Sequence, residues 1–158
     1  MGLRFYNNFY THFCKLFINN EMQCQDIYGN NRSITSMNAF CLSTFNSSVS
    51  SIYIASSAKT HDPTLYAVPN AISDVTITST ATKNQISKTS PIGVECNLSI
   101  VMYNTADEER VVSSIQFTQQ VNNYYFLVLA YYFDEDVVIP PKESRTVSIT
   151  VNNKFFDM

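Results

Sequence analysis

Apolar and polar residues along this chain follow two different periods. Over the first twenty residues, Phe5 or Tyr6, Phe9 or Tyr10, Phe13 and Phe17 recur every three to four positions, with Asn7, Asn8, Thr11, His12 and Lys15 largely between them. That spacing predicts an amphipathic helix with an aromatic face, closed by the polar "NNE". From residue 22 the period becomes two. "MQCQDIY" alternates and "GNN" follows as a turn signal; "SITS", "AFCLSTF" and "SSVSSIYIASS" read as short strands. "DVTITSTAT" places Val75 and Ile77 on one face and threonines on the other, and "VECNLSIVMY" alternates through Val94, Cys96, Leu98 and Ile100. "RVVSSIQFT" and "RTVSITV" continue the pattern, the latter with Val147, Ile149 and Val151 on one face. Turn signals separate these segments: "AKTHDPT", "KNQISKTSPIG", the acidic "NTADEE", the polar "QQVNN" and "DEDVVIPPKES".

Strands at this spacing, with no alternating helices, predict a mainly β domain, an antiparallel β-sandwich of jelly-roll-like or Ig-like kind. The expected organisation is a helical arm over residues 1–20 and a sandwich over 21–158. One stretch breaks the alternation. "YYFLVLAYYF" at 124–133 is apolar on both faces. Ten residues are far fewer than the roughly 20 a helix needs to cross a bilayer, and Tyr, Phe, Val and Leu favour a strand. Its outer face therefore needs a cover, expected to be the aromatic helix or another protein copy.

Composition narrows the function. Charged residues are 15% of the 158, below the usual quarter or so, while the chain holds 11 Phe and 10 Tyr. Few charges and many aromatics suit large permanent interfaces. The net charge is −3 and the ten Lys and Arg are scattered, so no nucleic-acid partner is expected. The polar face of the first helix carries only Arg4 and Lys15, too few basic groups for a membrane-surface helix, so no membrane partner is expected either.

No constellation points to catalysis. His61 adjoins Asp62 amid many serines, but no G-x-S-x-G elbow accompanies them. The acidic runs Asp107–Glu109 and Asp134–Asp136 lack the glycine and spacing of a calcium loop. Cys14, Cys24, Cys41 and Cys96 match no zinc spacing and read as free thiols. Gly2, Gly29 and Gly93 are too far apart for a phosphate loop, so neither metal nor cofactor is expected. For a glycan-binding module, the best local group would be His61, Asp62 and Tyr66.

The order of elements carries a family likeness. An amphipathic segment leads into "CQDIYGNNRSIT"; "SSIYIASSAKTHDPTLYAVPNAI" gives a strand, a polar loop and a Tyr-Ala-Val; "YYFLVLAYYFDEDVVIPPKESRTVSITV" closes with an apolar strand, a proline turn and an alternating strand. This order resembles small structural proteins of tailed bacteriophage virions, of the tail, collar or head-decoration kind. The loop here has no glycine and the last turn is "PPKES", so no site residue is carried over. The resemblance implies a non-enzymatic virion building block, homo-oligomeric and bound to other virion proteins. The alternative is a carbohydrate- or receptor-binding β-sandwich. The residues expected at interfaces are Phe5, Phe9, Phe13, Phe17, Tyr124, Phe126, Tyr131 and Phe133.

Overall fold

The computed structural model of the chain describes residues 2–14, 22–34, 51–84, 95–121 and 123–152. These form β1 (Leu3–Phe5), α1 (Asn7–Cys14), β2 (Met22–Gln25), β3 (Asn31–Ile34), β4 (Ser51–Ser56), β5 (Val75–Asn84), β6 (Glu95–Asn104), β7 (Arg110–Val121), β8 (Tyr124–Ile139) and β9 (Ser144–Asn152). The fold is mainly β, and every pairing between these strands is antiparallel. A four-stranded sheet runs β1-β8-β7-β4, a three-stranded sheet runs β5-β6-β9, and β2-β3 is a separate hairpin.

Alternation decides which side chains enter the core. In the three-stranded sheet, Val75, Leu98, Ile100, Met102 and Ile149 are buried, while Thr76, Thr78, Ser148 and Thr150 face outward. In the four-stranded sheet, Leu3, Tyr53, Ala55, Ile115, Phe117 and Leu129 join the same buried cluster, which thus draws on both sheets. Tyr53 meets Phe117 edge to face at 5.0 Å.

Three expectations change. The N-terminal segment does not begin as a helix: Leu3–Phe5 is a strand, with Leu3 opposite Tyr131 and Phe5 opposite Leu129, and the helix occupies Asn7–Cys14. Leu3 and Phe5 alternate as well as Phe5 and Phe9 recur, and the free edge of β8 decides in favour of the strand. Secondly, "DED" is no turn. β8 runs through Asp134–Asp136 to Ile139, the acids lying in a bulge where the register with β7 jumps from Tyr132 opposite Ser114 to Val137 opposite Val112, and the strand stops at Pro140, which has no N–H to pair. Thirdly, "QQV" belongs to β7, with Gln119 buried, and the chain enters β8 through Asn123, at φ 67°. The expected strand "AFCLSTF" and the tail of the expected arm, 15–20, lie outside the described residues.

A polar corner ties the two sheets together at one end. The Arg110 guanidinium grips the Asp74 carboxylate, Nε lying 3.0 and 2.9 Å from its two oxygens. Asn104, wholly buried, donates from Nδ2 to the carbonyls of Glu108 at 2.7 Å and Ile139 at 3.0 Å, joining the β6–β7 turn to the end of β8.

Candidate functional site

The apolar run of β8 faces two ways. Phe126, Val128 and Leu129 enter the core shared by the sheets, while Leu127, Ala130 and Tyr132 lie in a second buried cluster with Tyr6. This second face continues on β7 through Ser114, Gln116 and Thr118, all buried. The chain itself covers it. The loop 57–70 leaves β4, crosses this face and returns, its ends held by the Ser57 N–H donating to Asn70 O at 3.1 Å and the Ile72 N–H donating to Ala55 O at 2.8 Å. Such a closed surface loop is an Ω-type excursion. Leu65 and Val68 from the loop and Ile27 from the hairpin pack on the cluster.

Polar groups on the covered face are satisfied largely by backbone. Ser114 Oγ donates to Ala58 O at 2.9 Å, and the Tyr132 hydroxyl donates to Thr60 O at 3.1 Å. Gln116 takes a bond from the Tyr6 hydroxyl at 2.8 Å and gives one to Ser114 Oγ at 2.9 Å. Burial, with the neighbouring Tyr132 hydroxyl, pushes the Tyr6 phenol far above its ordinary range, so it stays a donor. Lys59 and Asp136 close the rim at 2.6 Å.

The N-terminal segment locks onto the same loop. The Tyr6 N–H donates to Val128 O and the Asn7 N–H to Pro63 O, each at 2.9 Å. His61 Nε2 stands 3.0 Å from Phe5 O. A carbonyl only accepts, so Nε2 carries the proton. The imidazole lies between the rings of Tyr6, 4.7 Å away, and Tyr132, 5.9 Å away. Nδ1 is buried and has no hydrogen-bond partner among the described residues. Burial, opposed by the Phe5 carbonyl, sets the His61 pKa below the ordinary imidazole value.

A braced hairpin tip presents the most exposed aromatic side chain among the described residues. Asp26 is wholly buried; its Oδ1 accepts from the N–H groups of Tyr28 at 3.0 Å and Asn30 at 2.9 Å, and Oδ2 accepts from Arg32 Nε at 2.9 Å. Burial works to raise its pKa, but Arg32, Asn30 and Tyr28 together hold the carboxyl below the usual range. Tyr28 stands out at 77% exposure, and the half-exposed Tyr66 ring lies against Gly29. Cys24, in the adjoining strand, is a buried free thiol that burial pushes up to about 11.

The residues expected at interfaces do not share one surface. Phe126 is 1% exposed and belongs to this chain's own core, a correction: it alternates inward with Val128 toward the cluster shared by both sheets. Phe5, Phe9, Tyr131 and Phe133 are half-buried and pack on that core, Phe5 and Phe9 with ring centres 4.3 Å apart. Tyr124 is exposed, with Arg32 above it. Phe13 is a residue of α1, and Phe17 lies outside the described residues. His61, Asp62 and Tyr66 do not converge on an open site: His61 points inward, and Asp62 caps its own turn through the N–H and hydroxyl of Thr64. Exposed apolar residues that the periodicity did not single out are Val111 and Val138, directly opposite each other on β7 and β8, at 40% and 42% exposure.

Comparison with protein-family models, with curated proteins and with solved structures finds no significant match to this chain.

Proposed function

We propose that the chain is a non-enzymatic building block of a bacteriophage virion, of tail, collar or capsid-associated kind. It assembles as a homo-oligomer and with other virion proteins through protein–protein interfaces. In this reading the two sheets form a β-sandwich with an N-terminal amphipathic helix as an accessory docking element. The observation that carries it is the valine pair. Val111 and Val138 stand exposed side by side on a rigid antiparallel hairpin, two residues beyond Asp136, where Lys59 ties down the loop. Aliphatic side chains held outward on a strand pair favour contact with another protein surface. Low charge and abundant aromatic residues support the same reading.

The test is the mass of the intact chain in solution by light scattering over a wide concentration range, with Val138→Lys as the variant. Assembly that weakens in the variant is the expected result. A monomer at every concentration overturns homo-oligomerisation through this surface.

A second reading, a carbohydrate- or receptor-binding module, is favoured by one feature. Tyr28 is held far out on a hairpin that Asp26 braces, beside Tyr66, and a rigid tyrosine face suits stacking on a pyranose ring. A glycan array decides it: binding lost in Tyr28→Ala supports the module, and no binding by the parent chain removes it.

A further inference from the structure

We propose that His61 is a pH-sensitive latch that holds β1 and the start of α1 on the four-stranded sheet and releases them when it is protonated. The inference is independent of what the protein assembles with.

The geometry around the imidazole is one-sided. Nε2 donates to the carbonyl of Phe5, the last residue of β1. Nδ1 is out of contact with solvent and faces no acceptor among the described residues. A neutral ring fits this place at the expense of one unused lone pair. A protonated ring does not: the new N–H on Nδ1 has no acceptor, and a buried donor without a partner is strongly disfavoured.

The charged and titratable neighbours do not reverse this. From β1 comes Arg4, of the same sign as the imidazolium. Tyr6 and Tyr132 supply the flanking rings, and the Tyr132 hydroxyl is already committed to Thr60 O. The loop supplies Asp62, exposed and engaged by Thr64, whose attraction is the weakest of the influences on His61. Burial outweighs the rest and lowers the pKa. The sign follows. A folded pKa below the unfolded value means that latching is complete above the ordinary imidazole range, near pH 6.5, and is lost as pH falls through it towards the folded value.

What gives way is the short segment that the imidazole itself fastens. β1 pairs with β8 over three residues only, Leu3 to Phe5. Beyond that ladder it is held by Tyr6 N–H to Val128 O, Tyr132 N–H to Gly2 O, Asn7 N–H to Pro63 O and the Tyr6 hydroxyl. β8, by contrast, pairs with β7 over two long stretches, Tyr124 to Tyr132 and Val137 to Ile139, interrupted by bulges. Withdrawal of β1 exposes an edge of β8 from Leu129 to Tyr131 and lets the imidazolium reach water.

The experiment follows amide hydrogen exchange of the full chain by NMR from about pH 7.5 to about pH 5, above the range in which carboxylates titrate. The imidazole signals of His61 and His12 are titrated in parallel. After correction for intrinsic exchange, the Tyr6 and Tyr132 amides are expected to lose protection as His61 titrates. One proton allows at most about a tenfold change per pH unit. His61→Gln, whose amide can still donate to Phe5 O and carries no titrating group, is expected to abolish the response, and His12→Asn to keep it. If His61→Gln does not fold, the parent titration decides alone. Protection of the Tyr6 amide that does not change over the window overturns the latch. So does a His61 pKa at or above the ordinary imidazole value, or opening confined to the Ser57 and Ile72 amides of the loop.

Discussion

The guanidinium carbon of Arg32 lies 3.9 Å from the centre of the Tyr124 ring. Arg32 comes from β3 and Tyr124 from the start of β8, so this cation–π contact, with the Ile27 N–H bond to Tyr125 O, fastens the hairpin to the large sheet. Arg32 is aimed by the buried carboxylate of Asp26.

Replacing Asp26 with Ala strands the N–H groups of Tyr28 and Asn30 and the Arg32 guanidinium. The expected loss is about 3 kcal/mol, read by urea denaturation. The depressed carboxyl pKa gives this contribution a direction in pH. It is complete above the ordinary carboxylate range and falls away as pH drops through that range. The stability gap between the parent and Asp26→Asn should therefore narrow from about pH 6 to about pH 3. A gap that widens in acid contradicts the assignment.

Gly29 has φ 85°, and a Cβ there would come within 3.1 Å of the Tyr66 ring. Gly29→Ala is expected to cost about 1–2 kcal/mol from backbone strain. Gly2, with open space around its Cα, should accept alanine without measurable change in Tm. Equal effects at the two glycines would show that the hairpin tip is not held as described.

Tyr6→Phe removes one hydroxyl from a wholly buried ring and leaves Gln116 Oε1 without that donor. A loss of about 1–2 kcal/mol is expected. Faster amide exchange at Asn7 should accompany it, since the Asn7 N–H donates to Pro63 O of the loop packed on this face. A variant as stable as the parent would mean that the covered face is open to water.

Phe117→Ala should cost about 3–5 kcal/mol, because Phe117 is buried between the sheets against Tyr53. Val138→Ala, on the exposed pair, should change the stability of the isolated chain by about 0.5 kcal/mol or less. Thermal denaturation of both variants at low concentration separates the core residue from the surface one.

Much of the architecture was legible in side-chain alternation. Val75 and Ile77, Leu98 and Ile100, Val147 and Ile149 point where period two put them, and the doubly apolar "YYFLVLAYYF" announced a strand covered on both faces. The identity of the second cover was not legible. The loop 57–70 binds that face through the carbonyls of Ala58, Thr60 and Pro63. Every residue type offers a carbonyl, so its sequence, "SAKTHDPTLYAVPN", reads as an ordinary polar excursion. In the sequence His61 stands out for its neighbour Asp62, but its bond runs to Phe5, distant in sequence. Phe5 itself reads as helical because Phe9 follows it, and only the pairing with β8 reveals the strand.

The pairing of Leu3 with Tyr131 orders events in time. During synthesis β1 emerges well before its partner β8, more than a hundred residues later in the chain. Until then Leu3, Phe5 and Tyr6 have no β8 to bury against, while β4 and the loop wait for β7. Such distant pairings fold slowly and leave apolar edges open meanwhile. The growing chain thus passes through a stage in which Leu3, Phe5 and Tyr6 lack their cover, and completing the covered face is what ends that exposure.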